Sequence, residues 1–93
     1  MDSLLKTNSF EVSVVICAKN SAIFISKVID SIKLNKPGEI IVIDGLSTDE
    51  TVNIAENKGC KVLSDKGKGL SFARNLGSQE AKGNYVLYVG PDN

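Results

Sequence analysis

Two short runs constrain this chain more than anything else in it. Val12-Ser13-Val14-Val15-Ile16-Cys17 and Ile40-Ile41-Val42-Ile43 are β-branched and almost continuously apolar. That pattern belongs to strands covered on both faces, not to strands with one wet side. Between them Ile25, Val28, Ile29 and Ile32 recur at helical spacing, so a helix with one inward face joins two buried strands. Asn20 and Ser21 stand where a helix cap is needed, and Lys36-Pro37-Gly38 ends the helical stretch.

The alternation continues to the end of the chain. The second strand ends at Asp44, and Gly45 and Leu46 turn the backbone. Ser47 and Glu50 have the spacing of a capping box, with Asp49 also in the first turn of a helix that runs to about Lys58 and stops at Gly59. Cys60 to Leu63 reads as a weaker third strand, Lys66 to Gly69 as a flexible loop, Leu70 to Ala81 as a third helix closed by Gly83, and Tyr85 to Val89 as a fourth strand. Strands and helices in this order predict βαβ units. The expected fold is α/β, a Rossmann-like three-layer sandwich with a mostly parallel four-stranded sheet. Right-handed crossovers would place helices on both faces.

With 93 residues the chain suffices for one small domain. Lysine plus arginine equals aspartate plus glutamate, at 11 each, which removes the electrostatic case for a nucleic-acid partner. Cys17 and Cys60 have no metal-ligand spacing and read as free buried thiols of a reducing compartment. Residues 1–8 hold no apolar core of a signal peptide, and the longest purely apolar run, Val14 to Ala18, is far short of a membrane span. The expectation is a cytoplasmic protein, with a peripheral place at the inner face of a membrane left open.

Open α/β sheets bind ligands beyond the carboxyl ends of their strands. Ala18, Lys19 and Asn20 follow the first strand, Asp44 and Gly45 the second, and Gly90, Pro91, Asp92 and Asn93 the fourth. The absence of glycine from Ala18-Lys19-Asn20-Ser21 argues against a dinucleotide fingerprint, and Gly67-Lys68-Gly69 lacks the ending of a phosphate-binding P-loop. That glycine pair is either a flexible connection or a ligand-facing loop.

Four segments in register resemble the family 2 glycosyltransferases. They are Val12 to Ile16 with Asn20; Ile41 to Asp44 followed by Ser47-Thr48-Asp49-Glu50-Thr51; Gly67-Lys68-Gly69 with Ala73-Arg74-Asn75, Gly77 and Ala81-Lys82-Gly83; and Tyr85 to Val89 with Asp92. The resemblance runs from about Val12 to Asn93 and implies the N-terminal half of a GT-A fold. Residues 1–10 would be an extension, and residues 11–93 the part that holds a nucleotide-diphospho-sugar, cut off after the metal motif. It further implies a divalent metal, Mg2+ or Mn2+, bridging the diphosphate oxygens, and inverting transfer to a saccharide or lipid-linked acceptor.

Carried over residue by residue, the resemblance places Asp44 on the base or ribose and Asp92 on the metal. Ala18 would offer backbone contacts, and Asn20 belongs to the same donor set. Lys19 is either a phosphate contact or a solvated lysine. Lys68, Gly69 and Arg74 lie toward the diphosphate, with a helix-surface ion pair the other reading of Arg74. Gly45 and Gly90 stand where relatives carry further carboxylates. No catalytic base is expected in this stretch, because relatives place the base and the acceptor site downstream of the metal motif. The chain is therefore expected to be inactive alone. Its fourth strand, left at an open sheet edge, invites a homodimer. The other reading of the same residues is a non-catalytic nucleotide-binding or interaction module.

Overall fold

The computed structural model describes residues 11–90. Four strands, β1 (Val12–Ala18), β2 (Glu39–Asp44), β3 (Lys61–Ser64) and β4 (Tyr85–Val89), alternate with three helices, α1 (Ala22–Lys33), α2 (Thr51–Asn57) and α3 (Leu70–Glu80). All pairings are parallel, in the order β3-β2-β1-β4. The two continuous apolar runs are the two central strands, and Val15, Ile16, Ile41 and Val42 are wholly buried.

The sheet is covered on both faces. Val14, Ile16, Ala18, Ile40 and Val42 meet Ile25 and Ile29 of α1 and Ala55 of α2 on one side. Val15, Ile41 and Ile43 meet Ala73 of α3 on the other, with Leu76 packed alongside. The expected three-layer arrangement is therefore the observed one. Helix α3 lies very close to β1, because a Cβ on Gly77 would fall 2.4 Å from Cγ1 of Val15. No described helix is long and apolar enough to cross a membrane.

The helix starts differ from the expected caps. Ser21 occupies the N-cap of α1, but its hydroxyl donates to the Lys19 carbonyl. The first N–H of α1, on Ala22, donates to Asp49 Oδ2 at 3.2 Å. Helix α2 begins at Thr51 and not near Ser47, and the Ser47–Glu50 box does not form. Asp49 Oδ1 accepts instead from the N–H of Thr51, at 3.0 Å, and from its hydroxyl. One carboxylate thus serves the starts of two helices. At the other end of α2, Gly59 takes φ +88°, the left-handed stop that a glycine supplies.

At the amino end of the sheet, the buried Ser13 hydroxyl donates to Glu39 Oε2 at 2.6 Å and accepts from the Gly83 N–H at 2.8 Å. The Lys82 N–H donates to the same carboxylate oxygen. These bonds tie β1, β2 and the turn before β4 together, at the end opposite the carboxyl termini of the strands.

Candidate functional site

The chain leaves β1 for β2 on one side of the sheet and later places β4 on β1's other side, so the strand order reverses at β1. A cleft of about 400 Å³ opens there, beyond the carboxyl ends of β1 and β2. Cys17, Ala18 and Lys19 line it at the end of β1, Ile43 and Gly45 at the end of β2, Asp65 after β3, and Gly69 and Leu70 at the start of α3. Leu46 and Leu70 are exposed lips of this cleft. Leu46 takes φ +64° and sets its Cδ1 3.3 Å from where a Cβ on Gly67 would be. Glycine at 67 therefore lets the Leu46 side chain lie across the loop.

Asp44 ends β2 next to this cleft and is only 7% exposed. Its Oδ2 accepts from the Ser47 N–H at 3.0 Å. Its Oδ1 is buried without a hydrogen-bond partner among the described residues. A buried oxygen in that state is costly, and a donor arriving from a ligand would satisfy it.

The loop after β2 is fixed by the loop after β1. The Asn20 N–H donates to the Ser47 hydroxyl, and the Thr48 N–H donates to Asn20 Oδ1 at 2.7 Å. The Ser21 N–H donates to the Thr51 hydroxyl at 2.8 Å. Asn20 itself sits at φ +47°, a conformation that asparagine tolerates better than most residues. Together with Asp49, these bonds hold Gly45 to Thr48 in place beside Asp44. The hydrogen bonds from Thr51, followed by that from Ala22, keep the Asp49 carboxyl below its usual range against a smaller opposing effect of desolvation.

Of the residues singled out from sequence, Ala18, Lys19 and Gly69 line the cleft, and Asp44 adjoins it through Gly45. Asn20 stands at the rim with its side-chain oxygen engaged by Thr48. Lys68 sets its ammonium 5.1 Å from the centre of the Phe72 ring and not in the cleft. Arg74 is on the exposed side of α3. Its charge still reaches Cys17, where it offsets part of the rise that burial imposes on the thiol, while Asp65 adds to that rise. Asp92 lies outside the described residues. Sequence reasoning passed over Asp65 and Leu46. Only their positions directly after β3 and β2 could have drawn attention to them.

Gly69, at φ +96°, is the N-cap of helix α3, and no side chain caps its first turn. Backbone N–H groups at such a start suit an anion. Among the described residues no three metal-ligating side chains converge, so these residues alone do not build a metal centre.

A parallel sheet with helices on both faces and a crevice at the strand reversal define a doubly wound α/β domain. The family model for glycosyl transferase family 2 matches residues 13–93, and the chain belongs to that family. It is 39% identical over 92 residues to a cholesterol galactosyltransferase of Borreliella burgdorferi, covering 91% of this chain and 26% of that protein. It is 38% identical over 88 residues to Protein RfbJ of Shigella flexneri, covering 91% of this chain and 67% of that one. Among solved structures, it resembles glucosyl-3-phosphoglycerate synthase from Mycobacterium tuberculosis in complex with Mn2+, uridine diphosphate and glucosyl-3-phosphoglycerate. The TM-score there is 0.73 at 32% identity, over 87% of this chain and 33% of that one. Such neighbours are GT-A glycosyltransferases, and the fold described above is of that kind. The chain spans between a quarter and a third of the first curated relatives it matches.

Proposed function

We propose that this chain is the donor-binding part of a glycosyltransferase, taking a nucleotide-diphospho-sugar at the carboxyl end of its sheet. The observation that carries the reading is the buried Oδ1 of Asp44, without a partner among the described residues, at the end of β2 directly before the cleft-lining Gly45. Such an oxygen accepts a hydrogen bond from the nucleoside, either a base N–H or a ribose hydroxyl. Ala18 and Lys19 form the wall along which the nucleotide lies. The backbone of Gly69 and the start of α3 face its phosphates, and Lys68 and Arg74 are near enough in sequence to swing toward them. Asn20 acts by holding the Gly45–Thr48 loop. The uridine diphosphate and metal in the complex of the related mycobacterial enzyme support the same assignment.

A divalent metal, Mg2+ or Mn2+, would neutralise the charge that develops on the leaving diphosphate. Asp92 is the residue proposed to hold it, together with diphosphate oxygens. Transfer is proposed to invert the anomeric carbon and to deliver the sugar to a saccharide or lipid-linked acceptor. The acceptor hydroxyl would lose its proton to a base that this stretch does not supply.

The test is a two-dimensional amide NMR titration of the chain with UDP, GDP and dTDP, each with and without Mg2+. Shifts clustered at Ala18, Asp44 and Gly69, strengthened by Mg2+ and weakened in Asp92→Ala, are the expected result. A folded spectrum that none of these nucleotides perturbs would overturn the proposal.

A further inference from the structure

The cleft is lined by a carboxylate, that of Asp65, which the donor-site reading does not use. Asp65 follows β3 directly and lines the cleft, with the end of β2 between it and Ala18 and Lys19 at the end of β1. Its placement is rigid. The Asp65 N–H donates to the Asp44 carbonyl at 2.9 Å, its carbonyl accepts from the Lys68 N–H at 2.9 Å, and its Oδ1 accepts from the Gly67 N–H at 2.7 Å. The turn therefore needs only one of the two carboxylate oxygens. The other, Oδ2, lies 3.3 Å from where a Cβ on Gly45 would stand, with Lys19 Cβ at 3.4 Å from the same point. Gly45 has no positive φ to explain its glycine. What the missing side chain provides is room, and Asp65 Oδ2 borders that room.

Position along the sheet says which part of a nucleotide this carboxylate meets. β3 and β4 are the opposite edges of the sheet. If the diphosphate lies toward the end of β4, where Asp92 follows, the nucleoside extends back over β1 and β2 and its base points toward β3. A carboxylate can only accept hydrogen bonds, so it favours a base edge that donates and disfavours one that presents a lone pair.

We infer that Asp65 is a specificity-determining residue: its Oδ2 accepts a hydrogen bond from a ring N–H of the base, favouring uracil- and guanine-type nucleotides over cytosine-type ones. The inference rests on the donor-site reading above, and its test separates the two. The affinities of UDP, GDP, CDP and base-free ribose 5-diphosphate are measured by titration calorimetry or NMR for the wild-type chain and for Asp65→Asn. The asparagine keeps an oxygen for the Gly67 N–H, so the turn is preserved. Circular dichroism of the variant checks that the fold is kept.

Asp65→Asn is expected to weaken UDP or GDP by about tenfold, the usual worth of a hydrogen bond to a charged group at a partly solvated site. Binding of ribose 5-diphosphate should stay unchanged, and the preference over CDP should shrink, since an amide can donate to the cytosine ring nitrogen. Gly45→Ala, which crowds the same oxygen without removing it, should shrink that preference too. Equal losses for base-bearing and base-free ligands, or an unaltered ranking in Asp65→Asn, would overturn this inference and leave the donor site standing. Failure of the wild-type chain to bind any of these ligands would overturn both.

Discussion

At the scale of single residues, one buried side-chain oxygen among the described residues stands in an unfavourable state. Asp44 Oδ1 is buried without a donor, and an unpaired buried carboxylate oxygen costs more than an unpaired amide. Asp44→Asn should therefore raise the thermal midpoint of the ligand-free chain, or leave it unchanged, while lowering nucleotide affinity by about tenfold. Melting curves with and without UDP check both halves, and a variant that melts lower and binds as before would contradict them. Gly77 is the opposite case, a residue whose lack of a side chain is structural. Alanine is the better helix former by about 1 kcal/mol, but its Cβ would overlap Val15, which is fully buried. Gly77→Ala is expected to destabilise by about 1–3 kcal/mol, the range for overpacking, seen as a lower urea midpoint at constant slope. The candidate site was legible in part. Asp44, Ala18 and Lys19 declare themselves because they follow apolar strands, and Gly69 because it precedes a helix. Asp65 follows a weak edge strand of four residues and carries no comparable signal. That the Asn20 carboxamide already engages Thr48 is likewise invisible in sequence, because the bond joins loops 28 residues apart.

At the scale of elements, the order of strands and helices was readable because period and burial agree. The two continuous runs became the central strands, and Ile25, Val28, Ile29 and Ile32 became the inner face of α1. The caps were not readable. Ser47-Thr48-Asp49-Glu50-Thr51 offers several local pairings, and the one that wins is settled by α1 arriving beside α2. The Asp49 carboxylate then accepts from Thr51 and from Ala22 at once. Asp49→Ala should consequently lower the melting temperature more than Glu50→Ala, whose carboxylate, among the described residues, accepts only from Asn53 on the exposed surface. It should also broaden the amide signals of Gly45 to Thr48, since that loop loses its anchor. Equal melting temperatures for the two variants would show that the double cap contributes nothing. The carboxyl of Asp49 is held below its usual range, so its contribution is present above the ordinary aspartate value and disappears as the pH falls through the lowered one.

At the scale of the whole molecule, the two ends of the sheet and its two edges behave differently. The amino end is closed by Glu39. Burial alone would raise its carboxyl, but the Lys82 N–H, the Ser13 hydroxyl and the charges of Lys82 and Lys61 together hold it below the usual glutamate value. A folded value below the unfolded one means stability that is complete above the ordinary glutamate range and lost on acidification. Glu39→Gln should be less stable than wild type at pH 7 by roughly 0.5–1 kcal/mol, allowing for the group's partial exposure. The difference in urea midpoint should shrink as the pH falls through the lowered value of Glu39. The edges differ in protection. β3 carries Lys61, whose ammonium lies 2.7 Å from Glu80, and a charged residue on an edge strand discourages pairing with another sheet. β4 carries no such guard: Tyr85 is 64% exposed and Leu87 54% exposed. Both align with residues of β1 on the α1 side of the sheet, Val12 and Val14, so they extend an apolar face past its helical cover. An apolar strand with free backbone groups is a template for a second copy. The 93-residue chain is therefore expected to self-associate as its concentration rises, detected as a growing dimer fraction in sedimentation velocity. Leu87→Lys puts a charge on that face without touching the buried core, and should return the chain to monomer with an unchanged far-ultraviolet spectrum. If the lysine variant associates as strongly as the wild type, the contact between copies does not run through β4.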